Sequence, residues 1–499
     1  MTPPRWIGLV FACAALACAG PGERAERSLD VEFPENWVAA AGAPDELDPE
    51  WWRAYGDASL QALVEEALVH NRDLAVTAAR VLAAEAETRI VGADGLPQVS
   101  AGLSRDRTKR NFIGFPSGPG GSSNPVSRFT SYSLGLSTTW ELDVWGRLAD
   151  AEDAASQDAL AAWADHSGAQ QSLAAAVLQA WFALVEAERQ EQLGQRTLES
   201  WSATHALVER RYTQGLRPAL DARLTAADVE RARAELETFA RVRSDAARQL
   251  EILLGRYPSA ELAAADGELP EPAVAVPDGL PATLISRRAD LFAAERRLAA
   301  AELLVDVARK DFYPDLTLTG SVGTSSEKLS DLLDGDFTVW RLLGGIVQPI
   351  FEGGRLQARL DRQDARAAEQ LASFASQVLD ALGEVEGALD AERLLERELR
   401  IRVAVTEEAN RARDLATRRY AEGLVDVSTL LDAERGAYTA ESRLLLVRRQ
   451  RLVARIRLHL ALGGGFQAPE ANSEAPADAS PETPTKSDRP SDGQPEDAP

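Results

Sequence analysis

"SYSLGLSTTWELDVW", residues 131–145, changes character with almost every step. Tyr132, Leu134, Leu136, Trp140, Leu142 and Val144 are apolar, the odd positions from Ser131 to Asp143 are polar or glycine, and Thr138 is the one lapse. Successive β side chains point to opposite sides, so this period of two describes a long strand with one wet and one apolar face. Directly after it, Arg147 to Arg211 contains no proline, and its only glycines are Gly168 and Gly194. That reads as helix, and about sixty-five residues at 1.5 Å each reach about 97 Å. Upstream, "DLAVTAARVLAAEAETRIVGADGLP" (73–97) has the Ala/Leu/Glu composition of a close-packing helix and stops at proline. "PQVSAGLSR" (97–105) is then a shorter strand, which makes 97–145 a β-hairpin carried between helices.

The same order recurs. "DLFAAERRLAAAELLVDVARKDFYP" (290–314) parallels 73–97 at an offset of 217. "PDLTLTGSVG" (314–323) follows as a strand, and "FTVWRLLGGIVQPIF" (337–351) as a fourth strand that alternates poorly. "FEGGR" (351–355) parallels "DVWGR" (143–147), and "RRYAEGL" (418–424) parallels "RRYTQGL" (210–216), both at offset 208. That offset also aligns Gly255 with Gly463. The first copy is about nine residues longer, an excess placed in the loop-like "GFPSGPGGSSNP" (114–125). Arg355 to Arg419 again lacks proline. The returning helix 219–254 and the helix 282–312 are separated by the Pro- and Gly-rich 255–281, and together they match the descending helix at about 100 Å.

Two hairpins give four strands, too few to close a barrel alone. In a bilayer only closed barrels leave no unpaired edge. Three chains would supply twelve strands and a lumen, whereas two would supply eight, which side chains fill. A periplasmic coiled-coil scaffold would account for the helices but not for hairpins at matching places.

Composition narrows the function. The 499 residues carry 54 basic and 78 acidic side chains, net −24, which argues against a nucleic-acid partner. Cys13 and Cys18 are the only cysteines, and His70, His166, His205 and His459 are far apart. The body therefore offers no disulfide, thiol nucleophile or metal-ligand spacing. No phosphate loop or Ser/His/Asp pattern is present, so neither enzyme activity nor a cofactor is expected. "MTPPRWIGLVFACAALACAG" (1–20) has Arg5 ahead of a short apolar run, which suits an export signal. Cleavage after a small residue would release a soluble chain; lipidation at Cys18 would anchor it. The end, from about Pro469, is Pro-, Ser- and acid-rich and reads as disordered.

Six stretches occur in an order that resembles the TolC-like outer membrane factor family, specifically its lipoprotein branch in multidrug efflux. They are "WWRAYGDASLQALVEEALVHNRDL" (51–74), "WELDVWGR" (140–147), "RRADLFAAERRLAAAE" (287–302), "YPDLTLTGSVG" (313–323), "PIFEGGR" (349–355) and "YAEGLVDVSTLLDAE" (420–434). The resemblance covers roughly 45–465 and implies an α+β homotrimer. In it, a transmembrane β-barrel of two hairpins per chain continues into an elongated periplasmic α-barrel. The division it implies is a signal peptide at 1–17, a lipid-anchored segment and equatorial region at 18–57, and repeat 1 at 58–255 with its hairpin at 97–145. An equatorial connection follows at 256–281, then repeat 2 at 282–465 with its hairpin at 314–352, and a disordered tail at 466–499. Implied partners are outer-membrane lipid, a periplasmic adaptor and a proton-driven inner-membrane pump, with most of the chain in the periplasm. A type I protein secretion channel is the alternative.

The resemblance also places candidate residues. Gly215-Leu216 and Gly423-Leu424 match the turn that meshes with the adaptor, although a glycine helix stop alone would also explain them. Asp432 matches an aspartate ringing the periplasmic constriction, where converging carboxylates attract cations and repel one another. Thr429 stands where a second gate aspartate is found, and Thr429-Leu-Leu-Asp432 also fits a helix capping box. Tyr420 is a candidate for holding hairpins closed. Phe112, Phe115, Phe129, Tyr132, Trp340 and Phe351 flank the strands as candidate interface aromatics.

Overall fold

The computed structural model describes residues 31, 37, 50–55, 58–111, 126–264, 269–271 and 284–468. The export signal with Cys18, the stretch 114–125, Phe112 and the chain beyond 468 lie outside the described residues. Helices α1 (Ala58–His70) and α2 (Arg72–Ala93) lead to strands β1 (Gln98–Asn111) and β2 (Val126–Glu141). Helices α3 (Arg147–Thr213) and α4 (Ala219–Leu253) complete the first copy. After a helical turn at Leu284–Arg287, the second copy runs α5 (Ala289–Lys310), β3 (Asp315–Ser326), β4 (Thr338–Val347), α6 (Arg355–Ala421) and α7 (Val427–Ala461). The two descending helices are 67 residues each and the two returning helices 35 each. At 1.5 Å per residue the long pair spans about 100 Å.

The four strands form one antiparallel sheet in the order β1-β2-β3-β4. Directly paired residues share a face, so Ala101, Leu136, Val322 and Trp340 form one apolar row across all four strands. The opposite face carries Ser100, Ser137 and Ser321, and on β4 Arg341. The poor alternation of β4 has a physical cause. Val339, Leu343 and Val347 are apolar on the polar face, while Trp340, Leu342 and Ile346 are apolar on the other. Among the candidate aromatics, Tyr132 and Trp340 lie on the apolar face, but Phe129 pairs with Thr108 on the opposite one.

The sheet is tied to the helices by the motif residues. Asp143 accepts from the backbone N–H of Arg147 at 2.7 Å and of Ala149 at 2.9 Å, capping the start of α3. The Arg147 guanidinium donates to Glu141 at 2.6 Å, and in the second copy Arg355 donates to Glu352 at the same distance. Indole N–H groups complete the joint: Trp140 donates to the Gly95 carbonyl and Trp145 to the Pro314 carbonyl.

Midway along the long helices the two copies repeat one join. Asn71, before α2, donates to the Leu253 carbonyl at the end of α4; Arg288, before α5, donates to the Ala461 carbonyl at the end of α7. Around the first join Trp51, Trp52, Leu60, Val64, Leu178, Phe182, Leu250 and Ile456 make the largest core. The second is surrounded by Trp37, Leu291, Phe374, Val378 and Leu458. Phe466, assigned from sequence to the disordered tail, is instead buried against Trp163 and Phe292, because the apolar end of the body extends past Gly465.

His459 links the N-terminal segment to this core. Its ring stacks on Trp51 at 5.2 Å and meets Tyr55 edge-on at 6.2 Å. Burial, helped by the nearby Arg455 charge, pushes its pKa down from 6.5 to about 4. The folded state therefore excludes a proton that the unfolded chain binds between those two values. Stability from this group is full above pH 6.5 and falls as pH drops toward 4, by at most about 3 kcal/mol. His459→Phe keeps an aromatic ring on Trp51 and removes the titration. Thermal unfolding from pH 6.5 to 4.5 should then lose the His459 part of its slope, leaving that of His166, which burial also lowers, and near pH 4.5 that of carboxylates held low, such as Glu251. An unchanged slope would contradict this assignment.

Candidate functional site at the paired helical turns

At the end of α3 the backbone N–H of Gly215 donates to the Tyr212 carbonyl and that of Leu216 to the Arg211 carbonyl, both at 2.8 Å. The α6 end repeats this with Gly423 to Tyr420 at 3.1 Å and Leu424 to Arg419 at 2.9 Å. The second bond of each pair is the 6→1 bond that closes a helix through a left-handed residue, and φ is +73° at Gly215 and +74° at Gly423. Each turn then presents a leucine to solvent, Leu216 at 68 % and Leu424 at 69 % exposure.

The copies part company at their tyrosines. Tyr212 is 43 % exposed, whereas Tyr420 is 1 % exposed and sits in a small core with Val208, Ala416, Val427, Leu430 and Leu431. The guanidinium groups of Arg211 and Arg217 lie 5.0 and 5.4 Å from the centre of the Tyr420 ring. Arg211 also donates to the Tyr420 and Ala421 carbonyls at 3.2 and 3.1 Å, satisfying the open end of α6. Tyr420 thus joins the two turns of its own chain.

Helix α7 starts with Asp426 as its N-cap: the carboxylate accepts from the Thr429 N–H at 2.8 Å and the Thr429 hydroxyl at 2.6 Å. These bonds hold the Asp426 carboxyl below the usual range, the hydroxyl contributing most. The Thr429–Asp432 capping box is therefore corrected by three residues, since the helix begins at Val427 and not after Thr429. Asp432 caps nothing. Its side chain is 75 % exposed and its carboxylate meets Arg435 Nη1 at 3.3 Å.

Arg435 continues inward. Its Nη2 donates to both oxygens of Asp228 on α4, at 2.8 and 2.7 Å. The Asp228 side chain is only 1 % exposed and also receives Arg231. The adjacent Glu434 accepts from the Thr204 hydroxyl on α3 at 3.0 Å. Sequence reasoning missed Arg211, Asp228, Arg435 and the capping role of Asp426. The partners of the first three lie 207 to 210 positions away. The one available signal was the shared arginine pair of the heptads.

No group of three or more His, Cys, Asp or Glu side chains could hold a metal among the described residues. No described helix is long and apolar enough to cross a membrane. What the architecture provides is an apolar-faced sheet at one end of helices about 100 Å long and charged, clasped turns at the other.

Comparison with known proteins agrees with this architecture. The outer membrane efflux protein family profile matches residues 63–256 and 280–464, one segment per copy. The outer membrane protein OprJ of Pseudomonas aeruginosa is 35 % identical over 440 residues, covering 87 % of this chain and 90 % of OprJ. The pyoverdine export outer membrane protein OpmQ of Pseudomonas aeruginosa is 32 % identical over 467 residues, covering 93 % and 97 %. The solved outer-membrane channel OprN superposes with a TM-score of 0.81 at 30 % identity, covering 89 % of this chain and 99 % of that one. The chain is a member of the outer membrane efflux protein family, and its place is the outer membrane.

Proposed function

We propose that the protein is the homotrimeric exit duct of a tripartite efflux pump, conducting small molecules passively from the periplasm to the outside. The observation that carries this reading is the open sheet. Strands β1 and β4 are its two edges, and the face they share is apolar and exposed at Val99, Leu103, Leu136, Trp340, Leu342 and Ile346. Edges cannot stay unpaired in hydrocarbon, and three copies pairing β4 to β1 give twelve strands around a lumen. A periplasmic adaptor docks on the turns at Gly215-Leu216 and Gly423-Leu424, where burying each exposed leucine is worth about 1.5–3 kcal/mol. A proton-driven inner-membrane pump supplies the energy; the duct performs no chemistry. One relative exports pyoverdine, while the cargo of this duct is set by the pump it serves.

Asp432 is the gate residue in this reading. Three copies bring three exposed carboxylates towards one axis, each positioned by its own Arg435. Tyr420 and Thr429 hold the turn from which Asp432 projects. In planar bilayers Asp432→Ala should raise the closed-state current severalfold and abolish block by divalent cations. Wild-type current and wild-type block in the variant would remove Asp432 from gating.

A further inference from the structure

The apolar face of the sheet ends in a basic band. From the helix-proximal end its rows run Leu316 with Ile346, Trp140 with Leu318, Val99 with Leu342, the four-residue row through Trp340, Leu103 with Leu134, and then Tyr132. Each row advances two residues, about 6.8 Å along the strand. At a tilt of roughly 40° that is about 5 Å of height, so the rows span about 26 Å, the height of an outer-membrane apolar band. Beyond Tyr132 the same face continues with Arg105, Arg107 and Lys109 on β1 and with Arg128 on β2, opposite Lys109. Arg105 stands 5.5 Å over the Tyr132 ring, and all four cations are exposed. None is in an ion pair with a carboxylate among the described residues. Asp106 alternates onto the opposite face and bonds Thr108 there.

Lys109 and Arg128 stand directly opposite each other, and like charges so placed are destabilising unless anions meet them. The β3–β4 connection at the same end carries Glu327, Asp331, Asp334 and Asp336 against one cation, Lys328, so the cluster of cations belongs to the first hairpin. We infer that Arg105, Arg107, Lys109 and Arg128 form a binding site for the phosphate groups of phosphorylated glycolipid in the outer leaflet. The apolar rows below fix the depth: a lipid whose chains lie on Leu103 and Leu134 brings its headgroup phosphates to the level of these cations. Arginine takes phosphate bidentately, and each charge near such a surface is worth about fivefold in binding. The inference rests on the outer-membrane barrel of the proposed duct.

The test compares wild type with the combined Arg105→Ser, Arg107→Ser, Lys109→Ser and Arg128→Ser variant, each in nanodiscs holding either phosphorylated glycolipid or the same glycolipid stripped of phosphate. Native mass spectrometry reads both the retained lipid and the number of chains. Wild type should retain the phosphorylated lipid selectively, and millimolar inorganic phosphate should not displace it. The variant should lose several hundredfold in retention of the phosphorylated lipid, about fivefold for each of four charges, at unchanged chain number. Equal retention of the two lipids by wild type, or undiminished retention of the phosphorylated lipid by the variant, would overturn the inference. So would inorganic phosphate displacing the lipid, or a variant whose chain count falls while its lipid stays, which would assign the cations to an acidic connection on a neighbouring copy. A wild-type particle with fewer than three chains that still binds lipid through these residues would sink the trimeric duct and leave the band standing.

Discussion

Gly463→Ala is expected to destabilise the protein by more than about 4 kcal/mol, while Gly423→Ala costs about 1–2 kcal/mol. Both glycines have positive φ, +112° and +74°, where a side chain adds roughly 1–2 kcal/mol of strain. Their surroundings decide the difference. A Cβ at Gly423 meets nothing within 4 Å, whereas at Gly463 it would sit 2.1 Å from the Arg287 carbonyl oxygen and 2.7 Å from its carbon. Those atoms are backbone and cannot rotate away. Relief requires the end of α7 to withdraw from the start of α5, which breaks the bond from Arg288 to Ala461 and opens the core at Leu291, Leu458 and Leu462. Re-exposing even one such leucine costs about 1.5–3 kcal/mol. Gly255→Ala should behave like Gly463→Ala, because its Cβ would lie 2.5 Å from the His70 carbonyl oxygen in the copied join. Thermal unfolding of the three variants checks the ranking, and a Gly463→Ala protein that melts with wild type would refute it.

Removing both arginines from Asp228 should cost about 3–5 kcal/mol, the penalty of an uncompensated buried charge. Arg435→Ala alone leaves Arg231 in place and should cost nearer 1 kcal/mol. The double variant Arg231→Ala with Arg435→Ala strands the carboxylate between α4 and α7. Adding Asp228→Asn removes the charge and should recover most of the loss. In bilayers the double variant should also leak, since the charged tie from Arg435, one turn beyond Asp432 on α7, to Asp228 on α4 is then lost, leaving the apolar packing of Ala222 with Val427, Leu430 and Leu431 to hold the start of α7. A double variant as stable as wild type would mean that water reaches Asp228.

Most of the scaffold could be read from the residues because its punctuation is local. Proline and glycine bound the long helices, and Gly215 and Gly423 stop them where the heptads say. The period of two in 131–145 pointed to β2 because one of its faces is polar or glycine from Ser131 to Glu141, where the strand ends. Strand β4 was the weakest reading because its polar face carries Val339, Leu343 and Val347. The candidate site was less legible. Thr429 and Asp432 match a capping box in spelling, but Asp426 reaches the Thr429 N–H first, and spacing alone could not choose between them. The clasp of Arg211 on the end of α6, and of Arg435 on Asp228, joins residues from different copies. Such contacts depend on how two helical hairpins pack, and no local pattern records that.

In the proposed duct three copies of this chain close one barrel through the edges of β1 and β4. Native mass spectrometry of the full chain, extracted from outer membranes directly into nanodiscs, counts the copies. Three chains per particle are expected, and a population of single chains or pairs would rule out the closed barrel.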